Sequence, residues 1–121
     1  MTKYSDRSGG QCVRKTEYVL SYLPLFYEDL ESQIMYISEV LHNIDAAYDL
    51  LDSIEQGILE RLPVAEAFEP YHSHKERRYP YYRIYIKDYV VYYVVIPGED
   101  GKKIMEVRRI LHTLQDRDGY I

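Results

Sequence analysis

The sequence predicts an α+β domain with the element order β-α-α-β-β-β, in which a helix hairpin packs on one face of a twisted, antiparallel-dominated sheet. Three observations predict it. A strand-like segment precedes Pro24, two amphipathic stripes follow it, and β-branched and tyrosine residues dominate the stretch from Tyr82 to His112. The chain has 121 residues, 46% of them hydrophobic, which is enough for one core and one domain.

The first strand is predicted within Glu17–Leu23, a segment of strand-like composition, either at a sheet edge or beside the later strands. Pro24 ends it and also suits the first turn of a helix, where the missing N–H costs nothing. The apolar residues that follow recur at spacings of four, four, three and four, which is one face of an amphipathic helix. They are Phe26, Leu30, Ile34, Ile37 and Leu41.

A second helix is predicted to begin at Asp45, which we assign as its N-cap, and to stop at Pro63. Few residues separate the two helices, so they are expected to form an antiparallel hairpin. Gly57 disfavours a helix by roughly 1 kcal/mol relative to Ala, which indicates close packing where the helices cross. The stripe of the second helix is Ala47, Leu50, Leu51, Ile54, Ile58 and Leu62.

Three strands are predicted in the second half of the chain, at Tyr81–Ile86, Tyr89–Ile96 and Lys103–Leu111. The polar pair Lys87-Asp88 and the cluster Pro97–Gly101 supply the turns between them. The chain holds 15 tyrosines and no tryptophan. We expect most of the tyrosines of these strands to be core or cross-strand residues, although an open tyrosine face could also stack on nucleic-acid bases.

Composition also bounds the organisation and the class of the protein. Residues 1–14 show no periodicity and are predicted to be a flexible tail, with residues 15–121 forming the single domain. No apolar run approaches the roughly 18 residues that a membrane span needs, so no membrane association is expected. One cysteine, Cys12, excludes an internal disulfide and favours a reducing, cytoplasmic location. His72 and His74 have no third His or Cys near them, so neither a metal nor another cofactor is predicted.

Charge is unevenly distributed along the chain. Residues 1–70 carry five Lys or Arg against thirteen Asp or Glu, a net −8, and residues 71–121 carry ten against seven, a net +3. An acidic helical half and a mildly basic sheet half are therefore predicted. A net charge of +3 is low for a nucleic-acid-binding region.

The order of strand, helix hairpin and three-stranded meander resembles the RelE/ParE family of toxins from bacterial type II toxin–antitoxin systems, which includes plasmid stabilisation proteins. The resemblance covers the chain from about Tyr18 to Tyr120. It depends on segments that stand in the family's order: Tyr18–Pro24, Glu28–Leu30, Asn43–Ala47, Leu62–Pro63, Tyr82–Ile84, Lys87–Tyr92, Arg109–His112 and Asp116–Tyr120.

The resemblance implies a cognate antitoxin as a partner and one of two activities. One branch of the family cleaves mRNA on the ribosome, and a ParE-like branch inhibits DNA gyrase by protein–protein binding without catalysis. A member that only binds its antitoxin is a third alternative. The presence of Arg83, His112 and Tyr120 favours a metal-independent endoribonuclease.

RNA cleavage through the 2′-hydroxyl requires a base, an acid and cations around one phosphate. His112 could act as the acid or base, Arg83 could hold the phosphate, and Tyr120 could supply a phenol or a stacking ring. We therefore expect Arg83 and His112 to face one shared concavity. Alternatively, His112 could only cap a strand and Arg83 could only pair with a helix carboxylate. The predicted substrate-binding residues are Lys75, Arg77, Arg78, Arg109 and Arg117.

Departures from the nuclease pattern weaken the catalytic alternative without removing it, and a gyrase-binding protein would tolerate them. Val90 and Thr113 stand where that branch often carries arginines, and the net charge of −5 is unlike that expected of a ribosome-bound nuclease. Gyrase binding would instead use an exposed apolar or mixed patch on the hairpin, with Tyr27 and Tyr36 outside the core stripe.

Overall fold

The computed structural model describes residues 17–70 and 78–114. Its elements follow the predicted order, and they confirm two helices packed on a four-stranded, mixed sheet. They are β1 Tyr18–Tyr22, α1 Pro24–Met35, a π-helical turn Tyr36–Val40, α2 Ile44–Arg61, a 3-10 turn Leu62–Val64, β2 Tyr82–Ile86, β3 Tyr89–Pro97 and β4 Lys103–His112. The predicted tail at residues 1–14 lies outside the described residues.

The strands lie in the order β1-β4-β3-β2. β2, β3 and β4 pair antiparallel, as the meander predicts, and β1 pairs parallel with β4 at the edge of the sheet, with Tyr18 opposite Lys103. The helix hairpin carries the chain from β1 at one edge of the sheet to β2 at the other edge. The long connection that the parallel pair of β1 and β4 requires therefore includes both helices, β2 and β3.

Strand alternation divides the sheet into two faces. One face packs against the helices, where Tyr82, Ile84 and Ile86 of β2 join Phe26 and Ile37 of the helical layer in the main core. The other face carries a second buried cluster, which we call the outer cluster. Its members are Tyr81, Val90, Tyr92, Val94 and Leu111, with Tyr79 and Ile96 packed against them.

The joint between the helices differs from the prediction at two positions. Asn43, not Asp45, caps α2, because the Asn43 side-chain oxygen accepts a hydrogen bond from the backbone N–H of Ala46 at 3.1 Å. Leu41, predicted in the core stripe, is exposed. The π-helical turn holds an extra residue per turn, which rotates Leu41 out of line with the buried Ile37.

Gly57 is also placed differently from the prediction. A Cβ atom there would lie 2.9 Å from Cδ1 of Ile86, so the glycine provides space for β2 and not for the crossing of the two helices. Among residues 17–70 and 78–114, no helix has the length and apolar content to span a membrane.

A partly buried ion pair joins the helical layer to the sheet. The Nε and Nη2 groups of Arg109 each donate to the Asp29 carboxylate at 2.7 Å, and the two side chains are only 14% and 13% exposed. The backbone N–H of Ile110 donates to the same carboxylate at 3.2 Å. β1 pairs with β4 only as far as Val107. Beyond that residue, the Asp29 carboxylate accepts a backbone hydrogen bond of β4 that no strand accepts.

We expect Asp29→Asn to lower the free energy of unfolding by about 2 kcal/mol, because it removes the carboxylate charge that pairs with the partly buried Arg109 guanidinium. Urea denaturation measures the loss. Glu28→Gln changes the same charge at the neighbouring, exposed position and is the matched control, with an expected change within about 0.5 kcal/mol. Equal effects of the two variants would show that the ion pair contributes nothing specific.

A second polar contact lies at the opposite end of β1. The hydroxyl of Tyr18 donates to Oε1 of Glu66 at 2.9 Å, and Nζ of Lys103 contacts the same oxygen at 2.8 Å. Burial, followed by the hydrogen bond to Glu66, raises the pKa of Tyr18 to about 12. The folded state therefore holds the Tyr18 proton more tightly than the unfolded chain does.

This difference predicts a loss of stability in alkaline solution. The contribution of Tyr18 is fully present below its ordinary pKa of 10.0 and disappears as the pH rises from there to about 12. Tyr18→Phe should therefore flatten the decline of the unfolding free energy between these pH values. Denaturant titrations at several alkaline pH values, each compared with pH 8, measure the slope. An unchanged slope in the variant would contradict the assignment.

Candidate functional site

Arg83 lies on the face of the sheet that points away from the helices. It alternates with the core residues Ile84 and Tyr82 along β2, and it pairs across the sheet with Tyr92 of the outer cluster. Its guanidinium carbon is 5.6 Å from the ring centroid of Tyr85, which lies on the same face.

His112 lies on the helix-facing side of the sheet. It is the last residue of β4 and pairs with Tyr89, a core residue that begins β3. The two rings make an edge-to-face contact with centroids 5.2 Å apart. The backbone N–H of Leu114 donates to Nδ1 of His112 at 3.2 Å, so this nitrogen acts as an acceptor there.

The expectation that Arg83 and His112 share one concavity is therefore wrong. Their partners on β3, Tyr92 and Tyr89, are three residues apart, and an odd separation along a strand places side chains on opposite faces. The body of the sheet lies between the two groups. Their individual catalytic roles stay predictions, but the two side chains do not meet at one phosphate.

None of the other described site residues is near His112. Arg109 pairs with Tyr92 from β4, as Arg83 does from β2. Arg109 is held in the ion pair with Asp29, which gives it a structural role that sequence reasoning missed. Arg78 is exposed, and its guanidinium carbon lies 5.6 Å from the ring of Tyr79. Four others lie outside the described residues. They are Lys75, Arg77, Arg117 and Tyr120.

A pocket of about 470 Å³ opens beside His112, between the π-helical turn and the β2–β3 turn. It contains both polar groups and apolar walls. The hydroxyl of Tyr89 donates to Oε1 of Gln33 at 3.1 Å, and burial, with smaller contributions from Asp88 and Tyr36, raises the pKa of this tyrosine. The lining residues are Gln33, Tyr36, Ile37, Leu41, Asn43, Ala46, Leu50, Lys87, Asp88, Tyr89 and His112.

The tip of the helix hairpin exposes several large apolar side chains, which we call the hairpin-tip surface. Six large apolar side chains with exposures from 49% to 62% belong to it. Two of them, Tyr36 and Leu41, also line the pocket. The six residues are Met35, Tyr36, Val40, Leu41, Ile44 and Tyr48.

Local backbone geometry produces this surface. The Ser38 hydroxyl donates to the carbonyl of Ile34 at 2.9 Å, and the N–H of Leu41 donates to the carbonyl of Tyr36, five residues back, at 3.1 Å. His42 then adopts a left-handed conformation with φ of 53°, which turns the chain into α2. π-helical turns of this kind often occur at functional sites.

The surface is suited to binding another protein. Exposed apolar patches of grouped side chains mark protein interaction sites, and aromatic residues and methionine are enriched in them. Sequence reasoning identified Tyr36 as exposed but assigned Leu41 to the core. The signal that could have revealed the rest is the run of apolar residues on both sides of His42-Asn43, where a solvated turn would be polar.

Comparison with known proteins gives one family. A family model described as "ParE toxin of type II toxin-antitoxin system, parDE" matches residues 20–117, a range that spans both helices and all the strands except the first residues of β1. No curated protein gives a significant match.

Proposed function

The chain belongs to the ParE toxin family of type II toxin–antitoxin systems, and from that premise we propose that it stops bacterial growth by binding DNA gyrase through the hairpin-tip surface. No bond is cleaved in this mechanism. A cognate antitoxin, the partner that the family implies, neutralises the toxin.

The hairpin-tip surface is the observation that carries the proposal. Exposed apolar residues scattered singly over a protein need no explanation, but here six are grouped around one turn, within residues 35–48. A pocket of about 470 Å³ beside them can accept an apolar side chain of the partner. Anchor residues that fill such pockets dominate the binding energy of many protein interfaces.

Ribosome-associated mRNA cleavage is the competing proposal. It has less support because general acid–base catalysis requires its groups within hydrogen-bond reach of one substrate. Arg83 and His112 lie on opposite faces of the sheet, and Arg109 is held by Asp29. Binding to gyrase as a protein–protein contact requires none of these three side chains to meet.

To neutralise the toxin, the antitoxin has to cover an exposed surface of it. An antitoxin segment that is disordered when free can fold across the toxin, either as a helix in an apolar groove or as a strand added to a sheet edge. A family member that only binds its antitoxin would retain this property without arresting growth.

The double variant Val40→Ser/Ile44→Ser tests the surface directly. Both side chains are exposed, so the fold should be retained, while removal of two apolar contacts at the centre of an interface should weaken binding by at least about tenfold. We expect inhibition of purified DNA gyrase in a supercoiling assay, and growth arrest on induction, to fall accordingly.

The matched control is Leu25→Ser/Leu59→Ser. These two leucines are also exposed but lie where α1 begins and α2 ends, away from the tip. The control should inhibit gyrase like the unaltered protein. Equal loss in both double variants, or full inhibition by the tip variant, would exclude the hairpin tip as the binding surface.

Single substitutions at the predicted catalytic residues test the competing activity. We expect Arg83→Ala to arrest growth as the unaltered chain does, because this guanidinium lies on the sheet face opposite the pocket. His112 lines the pocket, so His112→Ala tests the nuclease through mRNA decay alone. Growth on induction, and the decay of a reporter mRNA in a translating extract, are the two measurements. Circular dichroism of both variants checks that the fold is kept.

A different pattern would support the nuclease. Fast reporter-mRNA decay with the unaltered chain, lost in His112→Ala while the fold is kept, would overturn the gyrase proposal. DNA damage response without mRNA decay would agree with it.

A further inference from the structure

The helix hairpin has an unusual charge distribution. From Pro24 to Glu60 the chain carries nine carboxylates and neither a lysine nor an arginine. One of them, Asp29, is neutralised by Arg109 across the layer boundary. The surface of the hairpin is therefore negative, and a surface of one sign attracts a partner of the opposite sign.

A groove of about 320 Å³ runs between α1 and α2, separate from the hairpin tip. Its floor is apolar: Ile54 and Ile58 are buried beneath it, and Leu30 and Leu51, which also line it, are partly exposed. No residue of the hairpin-tip surface lines it.

One wall of the groove is aromatic. Tyr22, Phe26 and Tyr27 form a compact ring cluster, with centroid distances of 5.2 Å, 5.5 Å and 5.8 Å between the three pairs. Tyr27 is 55% exposed, so part of this wall is accessible from solvent. Aromatic ring faces attract cations, arginine in particular.

The other wall carries the carboxylates of Asp52 and Glu55 on α2. Both residues are exposed. Burial raises the pKa of Tyr22, with smaller contributions from Tyr27 and from the negative charge of Glu55, which lines the same groove. A cationic side chain placed in this space would contact ring faces on one side and carboxylates on the other.

We propose that this groove binds a basic amphipathic helical segment of another protein, with an arginine or lysine between the Tyr27 ring and the Asp52 and Glu55 carboxylates. The apolar residues of that segment lie on the floor of the groove, in the manner of helix-in-groove recognition. The inference does not depend on gyrase being the target, because the groove and the hairpin-tip surface share no residue.

Two other occupants of the groove are a second copy of the chain and the chain's own first residues. A second copy of the chain would bring one acidic hairpin against another. Residues 1–16 of the chain itself carry Lys3, Arg7, Arg14 and Lys15 against one Asp, so they have the required sign. Both alternatives are outcomes of the experiment below.

The probe is a fluorescein-labelled synthetic peptide of about five helical turns, with leucines at helical spacing on one face and arginines beside them. A second peptide has the same leucines and glutamates in place of the arginines. Fluorescence anisotropy with the full chain should show binding of the basic peptide only. Replacement of Asp52 and Glu55 together, as D52N/E55Q, should weaken it by about tenfold, and added salt should weaken it further.

Two controls locate the contact. E39Q/E60Q removes the same charge from the hairpin at positions that do not line the groove, and it should bind the peptide like the unaltered chain. Tyr27→Ala should weaken binding about fivefold, whereas Tyr48→Ala, at an exposed tyrosine of the tip, should not.

Three results would overturn the inference. Equal weakening by both charge variants would indicate a diffuse electrostatic attraction only. A dimer in solution that D52N/E55Q dissociates would assign the groove to a second copy. Stronger peptide binding after replacement of Arg14 and Lys15 by glutamine would assign it to the chain's own first residues. Gyrase inhibition measured on D52N/E55Q separates these results from the proposed function, which predicts that inhibition is retained.

Discussion

Burial of β3 on both of its faces is the constraint on which the rest of the structure depends. All seven residues from Tyr89 to Val95 are buried, so each face of the central strand needs its own covering layer. The helix hairpin covers one face, and the outer cluster forms on the other. Side chains on neighbouring strands are then assigned to one layer or the other by their register with β3. This assignment separates Arg83 from His112.

The helical layer is attached to the sheet at two points, and the two proposed binding surfaces lie between and beside these attachments. The ion pair between Asp29 and Arg109 fixes α1 to β4, and Gly57 lets α2 approach β2 closely enough for contact with Ile86. Between these attachments the chain must reverse direction at the hairpin tip. The π-helical turn lies at this reversal, and it leaves Leu41 exposed although the regular helical stripe would have placed it in line with the buried Ile37.

Much of the fold could be predicted from the sequence, because hydrophobic period and turn residues act locally. The two-residue turn Lys87-Asp88 even determines that Ile86 lies opposite Tyr89, and therefore that Arg83 lies opposite Tyr92. The register of β4 could not be obtained in this way. An irregularity between Tyr92 and Tyr93 shifts the register of β4 by one residue. The shift depends on packing, and the residue types of the two strands do not indicate it.

The candidate site was less predictable for a related reason. Residue types suited to catalysis were recognisable, but whether they meet depends on sheet register, and Arg109 proved to be held by a carboxylate distant in sequence. An interaction surface depends less on sheet register, because it requires only that side chains of similar chemistry be exposed near one another. The hairpin satisfies this condition twice, with an apolar surface at its tip and an acidic, aromatic groove along its length. Because the two proposed binding surfaces share no residue, a mutation in one should leave binding at the other unchanged.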